Sequence, residues 1–135
     1  MTHLFIPIAV GFGGFVGAVL RFYLSGAIIK ATGNEFSFVG TLVVNLVGCF
    51  AIGILWTLTL KTNTLSPVMQ RCLITGLLGS LTTFSTFSLD SLQLLQSGRV
   101  SAAVLNVTAN VLIGLLLVWL GMAAAGMFVT TEPTG

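Results

Sequence analysis

Charge is scarce in this sequence. Five lysines and arginines and three aspartates and glutamates make up 6% of its 135 residues, where a soluble domain carries about 25%. A soluble fold this poor in charge would have no polar coat. A cytoplasmic enzyme, a nucleic-acid binder and a disordered tail are therefore excluded together. The net charge of +2 is too small to imply a polyanionic partner. Histidine occurs once, as the near-terminal His3. Cysteine occurs twice, as Cys49 and Cys72. These two thiols fall at different depths of apolar segments, so they read as small packing residues rather than a disulfide. No cluster of His, Cys and carboxylates has the spacing of a transition-metal site, and no nucleophile–base pair supports an enzyme. What remains is 56% hydrophobic with a mean hydropathy of +1.09, the composition of an integral membrane protein.

Crossing a bilayer core as a helix takes about 20 mostly apolar residues. Four stretches qualify, and they predict transmembrane helices at about 4–29, 36–60, 70–96 and 100–128. The first contains Arg21, the second and fourth carry no charge, and the third is polar in its middle. Ser66-Pro67 marks a break before the third helix, since proline suits a first helical turn. The connections are short, so residues 1–135 read as one membrane domain with nothing left for a soluble one. The first apolar run exceeds the about 7–15 residues of a signal-peptide core and lacks a basic leader, so it is expected to stay as a helix. The tail from Thr130 to Gly135 is expected to fray.

Four spans put both termini on one side of the membrane. Lys61 and Arg71 then fall on the terminal side, and Lys30 and Arg99 on the other. Orientation normally follows the Lys/Arg excess of the cytoplasmic loops, and here there is a tie. The tie permits insertion both ways and an antiparallel homodimer; the plainer alternative is that a weak bias in a small protein carries no meaning. Four helices make a thin bundle, and pathways across the bilayer are often lined by inverted repeats. The chain has no internal repeat, so the second copy would be another subunit. Gly13, Gly14 and Gly17 form a small-residue face suited to close helix packing in lipid.

Several polar residues stand where lipid would not tolerate them. Ser80, Thr82, Thr83, Ser85, Thr86 and Ser88 put six hydroxyls within nine residues at the middle of the third span. Hydroxyl side chains compete for the backbone, and a helix can break here. Broken backbone at membrane depth survives only inside protein or along a polar cavity, where freed carbonyls can bind a hard cation. The alternative is an intact helix whose hydroxyls bond back to their own i−4 carbonyls. Phe84 and Phe87 share a face, either as plain packing or with their electropositive ring edges turned toward an anion. Asn45 brings two N–H donors into the second span, as interhelical glue or as pathway lining. Asn106 and Asn110 repeat the pattern in the fourth span, with Gly114 following on the same face. Arg21 can snorkel to the nearer surface or hold positive potential at a pathway mouth. Asp90 can cap or pair with a cation. Hydroxyls, amides, an arginine and phenyl edges together favour an anion.

These residues carry a resemblance. The chain resembles the Fluc (CrcB) fluoride channels over nearly its whole length. The matching stretches are Gly13 to Phe22, Gly40 to Asn45 and Gly76 to Ser88. The run Thr82-Thr83-Phe84-Ser85-Thr86-Phe87-Ser88 is highly specific; the glycine–arginine run of the first helix would be weak alone. The resemblance implies an all-α integral membrane fold with four transmembrane helices per subunit. It implies a third helix broken at mid-membrane and an antiparallel, dual-topology homodimer with two fluoride pores. It further implies passive export of fluoride across a bacterial inner membrane, which protects the cell. A structural sodium ion at the dimer two-fold is implied on the backbone carbonyls of Gly79 and Thr82. The implied fluoride pathway takes Asn45, Phe84, Phe87, Ser85, Thr86 and Asn110, with Arg21 as the vestibule charge. The family usually has glutamate where Asp90 stands, and Tyr and Ser where Asn106 and Asn110 stand. Two other readings compete. A small multidrug exporter needs an acidic residue in its first helix, and this first helix has only Arg21. A non-transporting scaffold would not need a hydroxyl-rich interruption at mid-depth.

Overall fold

The computed structural model describes residues 2–33, 37–62 and 65–129. Helix α1 spans Thr2–Thr32 and α2 spans Ser37–Lys61. The third long segment divides into α3, residues 67–81, and α4, Phe84–Gln96. Helix α5 spans Val100–Phe128. The fold is all-helical, and four stretches are long and apolar enough to cross a membrane: Leu4–Thr32, Ser37–Lys61, Pro67–Gln96 and Val100–Phe128. The expected start of the second span at Phe36 and the tail from Thr130 to Gly135 lie outside the described residues.

Local chemistry sets the helix ends. Helix α1 runs on to Thr32, whose Oγ1 donates to the Ile28 carbonyl at 2.9 Å. It stops at Gly33, whose φ of 88° is left-handed and suits glycine. Helix α3 starts three residues before position 70. Ser66 caps it by accepting the Met69 N–H at 3.3 Å, and Pro67 has no N–H to leave unpaired. Helix α4 closes on Gly98, at φ 75°. There the Gly98 N–H donates to Leu95 O at 3.0 Å and the Arg99 N–H to Leu94 O at 2.9 Å. This Schellman turn folds α5 back along α4.

Helix α1 packs mainly on α3, α2 on the second half of α5, and α4 on the first half of α5. The α2–α5 seam is backbone against backbone. A Cβ on Gly53 would overlap the Val118 carbonyl oxygen, and one on Gly121 would overlap that of Phe50. Such approach gives dispersion contacts where lipid offers no hydrophobic drive between helices. Two small cores result, one of Val44, Leu78 and Leu81, the other of Phe38, Leu94 and Ala103. Large apolar side chains such as Phe15, Leu115 and Trp119 point outward, as the outer wall of a membrane protein requires. Two segments have the wider π-helical turn, Arg71–Leu78 in α3 and Ala109–Ile113 in α5. π turns inside helices gather at functional sites, and these two flank one cavity.

Candidate functional site

Thr82 (φ −80°, ψ 154°) and Thr83 (φ −149°, ψ 119°) are extended between α3 and α4. In an uninterrupted helix the Thr83 N–H would donate to Gly79 O, and the Thr86 N–H to Thr82 O. Here both donors go elsewhere. The Thr83 N–H donates to Asn45 Oδ1 at 2.8 Å. The Thr86 N–H donates to Thr83 Oγ1 at 3.3 Å, an N-cap bond that starts α4. Among the described residues, no backbone N–H outside the helices donates to the Gly79 or Thr82 carbonyl. Thr82 itself looks backward: its N–H and its Oγ1 both donate to Leu78 O, at 3.0 and 2.9 Å. Gly48 makes room for its methyl group, because a Cβ on Gly48 would overlap Thr82 Cγ2.

Asn45 sits on α2 with 9% of its surface exposed. Its Nδ2 donates to Thr83 O at 3.2 Å and to Asn110 Oδ1 at 3.0 Å. The side chain therefore pairs with the Thr83 peptide groups as a neighbouring strand would. Asn110, on α5, donates from Nδ2 to Asn106 O at 2.9 Å and to Asn106 Oδ1 at 3.0 Å. Asn106 is 1% exposed and donates from Nδ2 to Ser91 Oγ at 2.9 Å. Ser91 Oγ donates to Phe87 O at 2.8 Å. Buried polar side chains without partners cost about 1–3 kcal/mol each; this row satisfies its members mutually.

A cavity of about 350 Å³ lies against this row. Asn45, Gly79, Thr82, Thr83, Phe84, Phe87 and Asn110 line it, together with apolar side chains of α2, α3 and α5. The phenyl rings of Phe84 and Phe87 stand 5.5 Å apart, tilted by 59°. Phe87 is buried at 9% exposure, and Phe84 is 80% exposed on the isolated subunit. A tilted pair presents ring edges, which are electropositive, along with faces. The cavity thus combines carboxamides, peptide groups, hydroxyls and phenyl rings, and among the described residues no carboxylate lines it.

Of the residues picked out from the sequence, Gly79, Thr82, Asn45, Phe84, Phe87 and Asn110 meet at this cavity. Ser85 and Thr86 do not line it; both are exposed at the start of α4. Thr83 Oγ1 reaches both of them, Ser85 Oγ at 3.3 Å and Thr86 Oγ1 at 3.1 Å. Arg21 is half-buried on α1 and is not among the lining residues. Asp90 lines a separate cavity of about 250 Å³ with Ser37, Gln93, Ser97 and Arg99, and its buried Oδ2 has no hydrogen-bond partner among the described residues. Two residues escaped the sequence reading, Thr83 as a backbone partner of Asn45 and Ser91 as the end of the amide row. A signal for Ser91 existed: it lies four residues after Phe87, on the same helical face.

Comparison with known proteins gives the family. Residues 8–122 match the family described as CrcB-like protein, Camphor Resistance (CrcB). A relative from Hydrogenovibrio crunogenus, named fluoride-specific ion channel FluC, is 44% identical over 126 residues, covering 93% of this chain and 95% of the relative. Proteins of the same name from Geotalea daltonii and Campylobacter jejuni subsp. jejuni are 42% and 45% identical, over 87% and 84% of this chain and 94% and 92% of their own. Four apolar helices and this kinship make the chain a multi-pass membrane protein. Matched by the family model along most of its length and by relatives that align almost end to end, the chain belongs to the CrcB family.

Proposed function

We propose that this chain forms a fluoride-selective channel, which lets fluoride leave a bacterial cell passively through the inner membrane. The supporting observation is the cavity, where two phenyl rings, two carboxamides and interrupted backbone meet with no carboxylate among the described residues that line it. Its kinship with proteins named fluoride-specific ion channel supports the same choice of ion. Fluoride gives up tightly bound water, so a pathway must offer several donors at once and still release the ion. Along the proposed pathway Ser85 and Thr86 supply hydroxyl donors and Phe84 and Phe87 weaker ring edges, while Asn45 and Asn110, whose Nδ2 protons are spent within the protein, reach the ion only by exchanging one of those bonds for it. Arg21 holds positive potential at the vestibule.

The working unit is an antiparallel, dual-topology homodimer with two pores. Its support is the tie between Lys61 and Arg71 on one side and Lys30 and Arg99 on the other. A sodium ion on the two-fold is held by Gly79 and Thr82 of each subunit. The residues fit such an ion, because both carbonyls have lost their helical donors and both residues line the cavity. A bound cation supplies fixed positive charge, which lowers the cost of an anion in hydrocarbon.

Expression in a bacterium that lacks fluoride export tests the proposal. With the protein verified in the membrane fraction, growth in millimolar fluoride is expected to recover. Unchanged sensitivity would contradict it.

A further inference from the structure

The interruption between α3 and α4 is held by side chains from other helices. We infer that the hydrogen-bonded row Asn45–Asn110–Asn106–Ser91 is a positioning device that keeps the Thr83 N–H away from the Gly79 carbonyl and so keeps that carbonyl available to a monovalent cation. The inference rests on the cation site proposed for Gly79 and Thr82.

The direction of every bond in the row is fixed by its ends. A backbone N–H can only donate and a backbone carbonyl can only accept. The Thr83 N–H therefore demands Oδ1 of Asn45, and Thr83 O demands Nδ2. The second Nδ2 proton of Asn45 then requires an acceptor, which is Asn110 Oδ1. That turns Asn110 Nδ2 toward the side-chain and main-chain oxygens of Asn106. Asn106 Nδ2 is left to donate to Ser91 Oγ, and Ser91 passes its own proton to Phe87 O. Each amide has one orientation, and no member is able to flip without leaving two groups unpaired.

The row also closes on itself. It begins at the Thr83 backbone and ends at the Phe87 carbonyl, one turn further along the same segment. The turn that carries Phe84 and Phe87 is stapled at both ends to α2 and α5. The staple that aims the ring pair is the one that diverts the Thr83 N–H. Loss of a middle member lets the Asn45 amide turn. The Thr83 N–H then has a ready alternative, the Gly79 carbonyl, because α3 needs only to extend. The cation ligand and the ring pair are thereby coupled through Asn106 and Asn110, neither of which bonds to Gly79.

Sodium retention tests this on the full-length dimer. Parent protein, Asn110→Leu and Ser91→Ala are purified in sodium, desalted into N-methylglucamine buffer and followed by elemental analysis, with dimer content measured by gel filtration. The parent is expected to keep one sodium per dimer. Asn110→Leu, which removes three hydrogen bonds of the row, is expected to release it about tenfold faster or more while still dimeric, the factor set by the single bond among them that orients the Asn45 amide. Ser91→Ala, which removes only the far anchor, is expected to show a smaller acceleration. A parent that holds no sodium would remove the cation site itself, and the inference with it. A sodium-holding parent with dimeric Asn110→Leu retaining the ion equally would overturn the inference alone. If neither variant assembles, the labelled parent decides by through-hydrogen-bond nuclear magnetic resonance coupling. Coupling from the Thr83 nitrogen to Asn45 Cγ supports the inference, and coupling to the Gly79 carbonyl carbon overturns it.

Discussion

Replacing either ring of the phenyl pair separates a pathway role from a packing role, because the two predict different magnitudes. Phe87 is 9% exposed and touches the Phe84 ring at a centroid distance of 5.5 Å. Phe87→Ile is a hydrophobic swap inside a packed site, worth less than about 1.5 kcal/mol, plus a lost aromatic pair of about 0.5–1.5 kcal/mol. Phe84 is 80% exposed on the subunit, so Phe84→Ile loses little beyond the pair. Even the larger loss, about 3 kcal/mol against a stability of at least about 5, leaves roughly thirty folded subunits for each unfolded one. Misfolding therefore accounts for a loss of a few per cent in flux. If the rings line the anion path, each variant instead loses fluoride flux by orders of magnitude while its dimer content stays at the parent level. Fluoride efflux from liposomes, normalised to dimer by gel filtration, measures this. Both variants conducting at the parent rate would refute the reasoning and make Phe84 and Phe87 packing residues.

Three further outcomes follow from the same account. Extra lysines in the loop after α2 should force one orientation and abolish fluoride efflux, and co-expression with a variant biased the other way should restore it; a single fixed orientation with full activity would end the dual-topology proposal. Gly53→Ala should destabilise the subunit by about 1–3 kcal/mol as an overpacked site, since its Cβ would overlap the Val118 carbonyl, and thermal unfolding in detergent should record it. Asn45→Ala should reduce fluoride efflux severely, because it removes a cavity-lining amide and leaves the Thr83 N–H without its partner; parent-like efflux would assign Asn45 to interhelical packing alone.

Hydropathy made the four long helices legible, because lipid requires apolar runs of a certain length and little else. Their ends were less legible. Hydropathy alone starts the third span at about position 70, whereas Ser66-Pro67 marks the start that α3 has, with Ser66 capping and Pro67 first in the helix. The two π segments, Arg71–Leu78 and Ala109–Ile113, leave no mark on composition, since a wide turn depends on what the helix packs against. Polarity out of place was the most informative sequence feature at the site. Asn45, Asn110 and the hydroxyl-rich run drew attention because uncharged lipid-facing helices have no use for them. Their partners were not readable. That Asn45 pairs with the Thr83 backbone, 38 positions away, and that Asn106 reaches Ser91 depend on how α2, α4 and α5 are juxtaposed. Sequence spacing fixes neighbours on one helix, not across three.

Fluoride permeation by the purified protein is the central claim, and one measurement addresses it directly. Liposomes loaded with fluoride and containing the protein should empty far faster than protein-free liposomes on addition of a potassium ionophore. The same liposomes loaded with chloride should retain it, because the hydroxyl and phenyl-edge donors of the proposed pathway suit a small, strongly hydrogen-bonding anion. Fluoride efflux no faster than from empty liposomes, or equal efflux of chloride, would contradict the account.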